Sequence, residues 1–183
     1  MTLANRITLF RLILIPVFLA LVVAYTADKP WLRITALGVF ITAAVSDGLD
    51  GFVARAYNQK TKLGAVLDPL ADKLLLNLAF VFLAVNKEFA TPVAGWIPVL
   101  ILGRDVIIVL GSYLINEYFG PLRVRPRVSG KLTTVLQMTA IIAVLLEFPY
   151  AWHILMAMVT ISIISFADYL YDGIRRVGNE DAA

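Results

Sequence analysis

Six apolar stretches, each about as long as the 20-residue helix that spans a bilayer, follow one another along this chain with only short connections. They place spans at 8–26, 32–56, 64–86, 93–118, 129–148 and 150–172. In a chain of 183 residues that leaves almost nothing for a separate extramembrane domain, so 1–183 reads as one membrane domain. The composition agrees: 60% of residues are hydrophobic and 16% charged, too little polar surface for a soluble domain to cover its core. The expected fold class is an all-α integral membrane protein, a bundle of six transmembrane helices. The first stretch also resembles a secretory signal, because Arg6 and Arg11 open it and Val22-Val23-Ala24 resembles a cleavage site. Five further hydrophobic segments favour a retained span. The polar tail Gly178–Ala183 is expected to fray.

Six spans put both termini on one side. That side would carry Arg6, Arg11, Arg55, Lys60, Lys62, Lys73, Arg123, Arg125, Arg127, Lys131, Arg175 and Arg176, against only Lys29, Arg33 and Lys87 opposite. The positive-inside rule then makes both termini cytoplasmic. Trp31, Trp96 and Trp152 fall near the outer ends of their spans, where an aromatic belt belongs. The chain has no cysteine, which excludes disulfides and thiol nucleophiles, and its single histidine, His153, argues against a histidine-ligated metal. No nucleic-acid partner is expected.

Carboxylates break the apolar pattern in one place. Asp47-Gly48-Leu49-Asp50-Gly51-Phe52-Val53-Ala54-Arg55 closes the second span, and Gly64-Ala65-Val66-Leu67-Asp68-Pro69-Leu70-Ala71-Asp72 opens the third. Spacings of three and four residues put each aspartate pair on one helical face, and the short connection makes the two helices antiparallel neighbours with the pairs facing. Four acids at a membrane boundary repel one another and resist desolvation, so something positive must compensate. Oxygen-only donors favour a hard divalent cation, Mg²⁺ or Mn²⁺, which commonly binds through carboxylates and substrate phosphates together. The bland alternative pairs these acids with Arg55, Lys60, Lys62 and Lys73. It suits one acid at an interface better than four on two stripes with glycines between them.

The pattern Asp-x-x-Asp-Gly-x-x-Ala-Arg, eight residues, then Gly-x-x-x-Asp-x-x-x-Asp resembles the signature of the CDP-alcohol phosphatidyltransferases, and Asp47, Asp50, Gly51, Ala54, Arg55, Gly64, Asp68 and Asp72 fill every fixed position. Asn5-Arg6-Ile7-Thr8-Leu9-Phe10-Arg11 and the six-span layout also look like that family. The resemblance implies transfer of a phosphatidyl group from CDP-diacylglycerol to an alcohol, with release of CMP. It implies that Asp47, Asp50 and Asp68 hold the metal, a pair of ions in the fullest version, with Asp72 contributing to the metal site and acting as general base. Gly51, Ala54 and Gly64 would pack around the cytidine nucleotide while Arg55 contacts its phosphates.

For the acceptor, Arg123, Arg125 and Lys131 form a second basic cluster on the same side, and Arg104 is a charge inside the fourth span that needs a reason. Arg123 and Arg125 serve equally well as a positive-inside loop near anionic lipid. Gly130-Lys131-Leu132-Thr133-Thr134 with Gln137 and Met138 looks like phosphatidylglycerophosphate synthases, whereas Arg104-Asp105 is closer to CMP-forming cardiolipin synthases. Glycerol 3-phosphate is the first acceptor expected, phosphatidylglycerol the second and inositol phosphate a distant third. A membrane prenyltransferase would separate its aspartate motifs in a longer chain. A cation transporter would place acids near the midplane rather than at one edge beside Arg55. Small residues such as Ala43, Gly111, Ser112, Ser162 and Ser165 read as helix-packing contacts, and any of them could line a homodimer interface.

Overall fold

A computed structural model describes the backbone of residues 3–56, 64–119 and 128–180, and the side chains of 9–46, 71–114, 117, 130–171 and 173. The described chain is all helical: α1 (Leu3–Ala24), α2 (Pro30–Ala56), α3 (Gly64–Val85), α4 (Trp96–Phe119), α5 (Val128–Leu145) and α6 (Ala151–Glu180). The six helices fall on the six apolar stretches, and most boundaries agree within a few residues. Two ends differ. Helix α1 begins at Leu3, a turn and more before the apolar run, and α6 continues as helix to Glu180, so Gly178 and Asn179 belong to it rather than to a frayed tail.

Leu, Ile, Val, Ala and Phe recur on every face of these helices, which suits a helix with no aqueous side. Val99, Val106, Ile107, Val109 and Leu110 of α4 all lie exposed on the outside. Such an exterior belongs in hydrocarbon rather than water. Among the described residues, Trp96–Leu114 and Ala151–Tyr171 are long and apolar enough to cross a bilayer, while Leu9–Ala24, Pro30–Ser46 and Gly130–Leu145 are shorter apolar helices.

Among the described residues α3 meets four other helices, α1, α2, α4 and α5, and α1 meets two. Helix α1 packs against both α2 and α3, whereas α2 and α3 meet each other only narrowly among the described residues. Its Phe18 and Val22 are fully buried, and Phe18 stacks at a tilt on Phe40 of α2 with ring centroids 5.6 Å apart. A segment so embedded is a structural member of the bundle. Helix α5 packs mainly on α6, and α4 leans on α6 and α3. Phe80 and Leu83 of α3, Ile97 and Ile101 of α4, Ile141 of α5 and Leu155 and Met158 of α6 complete the core.

The connections 25–29, 86–95 and 146–150 gather at one end. Asn86 Nδ2 donates to the carbonyls of Val22 and Tyr25 at 2.7 and 2.9 Å, closing the end of α1 against that of α3. Tyr25 Oη donates to Glu147 Oε1 at 2.9 Å, and Arg33 Nη1 of α2 lies 2.9 Å from Glu147 Oε2. Glu147 itself has a φ of 52°, and it terminates α5 with Phe148 N donating to Ala143 O and Glu147 N to Val144 O at 2.9 and 3.0 Å. That is a Schellman cap, in which glycine usually takes the left-handed position. Trp31, Trp96 and Trp152 sit in the first turns of α2, α4 and α6, exposed at this same end.

Candidate active site

At the other end, α2 runs without a break through Asp47, Asp50, Gly51, Ala54 and Arg55, and α3 through Gly64, Asp68 and Asp72. Unbroken helix makes each aspartate pair share a face, as the spacing requires. The side chains of Asp47, Asp50, Gly51, Ala54, Arg55, Gly64 and Asp68 lie outside the described residues, as do Arg123 and Arg125 entirely. Among the described residues no cluster of three metal-ligating side chains occurs, and three of the four motif aspartates are outside that set.

Asp72 is described, and its partner was not foreseen. Arg11 of α1 is fully buried, and its Nη1 donates to Asp72 Oδ1 across 61 positions of sequence. Arg11 stands eight residues past the start of α1 and Asp72 eight past the start of α3, about 12 Å along each helix at 1.5 Å per residue. Charge placement alone counts Arg11 among the cations of the cytoplasmic side. It is instead an interior charge, because α1 starts early and lies against α3. The signal that could have found it is an arginine one turn inside an apolar span, which demands an acid within reach.

Lys73, the next residue, turns elsewhere. Its Nζ lies 2.8 Å from Asp105 Oδ2 on α4, and Asn77 Nδ2 donates to the same oxygen at 3.4 Å. Arg104, with a side chain 10% exposed, contacts Asp105 Oδ1 at 3.6 Å and donates from Nη2 to Ser165 Oγ of α6 at 3.0 Å. The charge inside α4 is thus held by neighbours on α4 and α6, and the helix is continuous around it. One turn further on, Tyr169 Oη of α6 donates to Ile108 O at 3.1 Å and lies 2.5 Å from Ser112 Oγ. Lys131 is exposed near the start of α5.

Five buried polar side chains stand out among the described residues: Arg11, Thr133, Gln137, Ser162 and Ser165. Thr133 and Gln137 share a face of α5 one turn apart, and Ser162 and Ser165 do the same on α6. The two helices form one hairpin, so these groups add polarity to the interior of the same bundle that holds Arg11 and Asp72. The motif aspartates, all oxygen donors on two continuous helices, suit a divalent cation.

Comparison with known proteins gives the constellation its context. The sequence model of the CDP-alcohol phosphatidyltransferases matches residues 1–170. A protein of Mycobacterium tuberculosis named a probable phosphatidylglycerophosphate synthase is 32% identical over 96% of this chain and 83% of its own length. A CDP-diacylglycerol–glycerol-3-phosphate 3-phosphatidyltransferase of Aquifex aeolicus is 31% identical over 98% of this chain and 100% of its own. The Escherichia coli protein of that same name is 36% identical over 80% of this chain and 77% of its own. With helices, motif and matched length in agreement, this chain belongs to the CDP-alcohol phosphatidyltransferase family.

Proposed function

We propose that this protein transfers the phosphatidyl group of CDP-diacylglycerol to a hydroxyl of glycerol 3-phosphate, releasing CMP and forming phosphatidylglycerophosphate. The observation that carries this reading is that relatives bearing that activity in their names match along 80% or more of the chain. We further read 1–183 as one domain of six spans with both termini cytoplasmic, in a bacterial plasma membrane. The excess of Lys and Arg on one side and the three tryptophans at the other end support that orientation.

In the proposed mechanism the diacyl tails stay in lipid while Gly51, Ala54 and Gly64 accommodate the cytidine nucleotide and Arg55 contacts its phosphates. Asp47, Asp50, Asp68 and Asp72 are the residues that would hold Mg²⁺ or Mn²⁺, as one ion or two. Bound there, the cation would offset negative charge on the diphosphate. Arg104, Lys131, Arg123 and Arg125 are the cations available to an acceptor's phosphate. Asp72 takes the proton of the acceptor hydroxyl as that oxygen bonds to the β-phosphorus. The bond from phosphorus to the oxygen bridging to CMP breaks, and CMP departs with the electron pair. A carboxylate is a weak base, with an ordinary pKa near 3.9, so it contributes where the acceptor hydroxyl is already made acidic and is held close.

A second acceptor, phosphatidylglycerol, is favoured by the adjacent Arg104 and Asp105, a pair closer to CMP-forming cardiolipin synthases. Purified protein supplied with CDP-diacylglycerol, Mg²⁺ or Mn²⁺ and each acceptor in parallel decides the matter. CMP release with glycerol 3-phosphate alone supports the first reading, release with phosphatidylglycerol alone transfers it to the second, and release with neither defeats both.

A further inference from the structure

We infer that Arg11 is a positioning residue for the transfer reaction, fixing the carboxylate of Asp72 so that it meets the acceptor hydroxyl in one geometry. This rests on the reading of Asp72 as the base. Arg11 is fully buried while Asp72 keeps 31% of its side chain exposed. One member of the pair is sealed in the bundle and the other opens outward, which is the arrangement of a support and a working group.

Stability alone does not account for such a pair. Desolvating a guanidinium is expensive, and apolar side chains of similar volume commonly serve a bundle as well as a buried ion pair or better. What arginine adds is direction. Its planar fork fixes the plane and angle of a carboxylate, whereas an ammonium is a point charge that lets the carboxylate turn. The nearest lysine in sequence is engaged elsewhere, since Lys73 pairs with Asp105 at 2.8 Å. Orientation of Asp72 therefore comes from α1. A carboxylate has lone pairs enough to accept from Arg11 at Oδ1 and still take a proton from substrate. The same contact joins α1, which carries none of the motif aspartates, to the helix that carries Asp72.

The test uses the full-length protein in lipid–detergent micelles, as wild type, Arg11→Met, Arg11→Lys, Asp72→Asn and the Arg11→Met/Asp72→Asn double variant. Initial rates are measured with CDP-diacylglycerol and glycerol 3-phosphate, and thermal unfolding of each protein is recorded beside them. Arg11→Met should lower kcat by about 100-fold with the KM for CDP-diacylglycerol within about threefold, the scale of a lost general-base contribution. Arg11→Lys should recover about a tenth of the wild-type rate, because it restores charge without the fork. Adding Arg11→Met to Asp72→Asn should lower the rate less than about threefold further, since residues acting as one unit are not additive. Equal proportional losses from Arg11→Met in both backgrounds would mark a merely structural role and overturn the inference, as would a kcat within threefold of wild type. If Arg11→Met does not fold, Arg11→Lys decides: unchanged unfolding temperature with about tenfold lower kcat supports positioning, and unchanged kcat refutes it. A wild-type protein that releases no CMP defeats the transferase reading and this role with it, and is recognised because no variant then differs from it.

Discussion

The two ends of this bundle are built from similar residues and do opposite things with them. At the end formed by the connections 25–29, 86–95 and 146–150, Glu147 binds Tyr25 and Arg33 while Asn86 donates to the carbonyls of Val22 and Tyr25, which joins α1, α2, α3 and α5. The polar groups there are partners in a clasp. At the other end, Asp72 pairs with a buried arginine yet stays partly open, and the other three motif acids lie along the helical backbone of α2 and α3. A clasp closes its charges on themselves. In the proposed reaction centre the carboxylate of Asp72 lies among the motif positions, where substrate would meet it. The general lesson is that polarity inside a membrane bundle is not one signal, and what decides its meaning is which other polar groups stand beside it.

That contrast can be broken by substitution at either end. The largest effect should come from Asp72→Asn, which removes the proton acceptor and should cut turnover by about 10³-fold, within the range of general-base contributions. Binding of a CDP-containing nucleotide, measured by calorimetry with Mn²⁺ present, should largely persist; its loss would show that Asp72 serves binding alone. Next is Glu147→Ala, which strands Arg33 and keeps an unfavourable left-handed backbone, and should destabilise the fold by about 2–3 kcal/mol. Thermal unfolding in detergent should fall while kcat of the folded fraction stays within about twofold. Glu147→Gly should be milder by about 1 kcal/mol, because glycine tolerates the φ of 52° without strain.

Arg104→Ala should raise the KM for the acceptor about tenfold while that for CDP-diacylglycerol changes little, the scale of one charge-assisted contact to phosphate. Equal change in both would assign Arg104 to holding α4 against α6 through Ser165. The smallest expected effect is Tyr169→Phe, which loses the contacts to Ile108 O and Ser112 Oγ and should destabilise by about 1 kcal/mol without altering either KM.

Much of this fold is written in local pattern. Apolar runs of bilayer length gave all six helices, and Lys29, Arg33 and Lys87, set against the many cations opposite, separated one end from the other. The aspartate motif was legible because its spacing is fixed and its chemistry depends on neighbours in sequence. What sequence hid were contacts between distant helices. Arg11 counted only as one of the cations of the cytoplasmic side, since nothing local reveals that α1 lies against α3. Antiparallel neighbours were expected of α2 and α3 from their short connection, yet among the described residues both lean more on α1 than on each other. Glu147 was invisible for another reason: a left-handed cap normally advertises itself with glycine, and here side-chain bonds to Tyr25 and Arg33 hold a glutamate in that role.

The separation of Arg11 from Asp72 has a consequence for how the protein is made. Arginine leaves the ribosome 61 residues ahead of its partner, an interval of roughly 3–12 s at 5–20 residues per second. Through that time the first helix carries an arginine one turn inside its apolar run into or beside the insertion machinery, at a cost below the roughly 2.5–3.5 kcal/mol of an arginine at a helix centre. The hairpin of α1 and α2 can therefore assemble early, but α1 gains its electrostatic reason to stay at full depth only when the third helix arrives. Assembly, and in the proposed mechanism the chemistry, thus wait on the same aspartate.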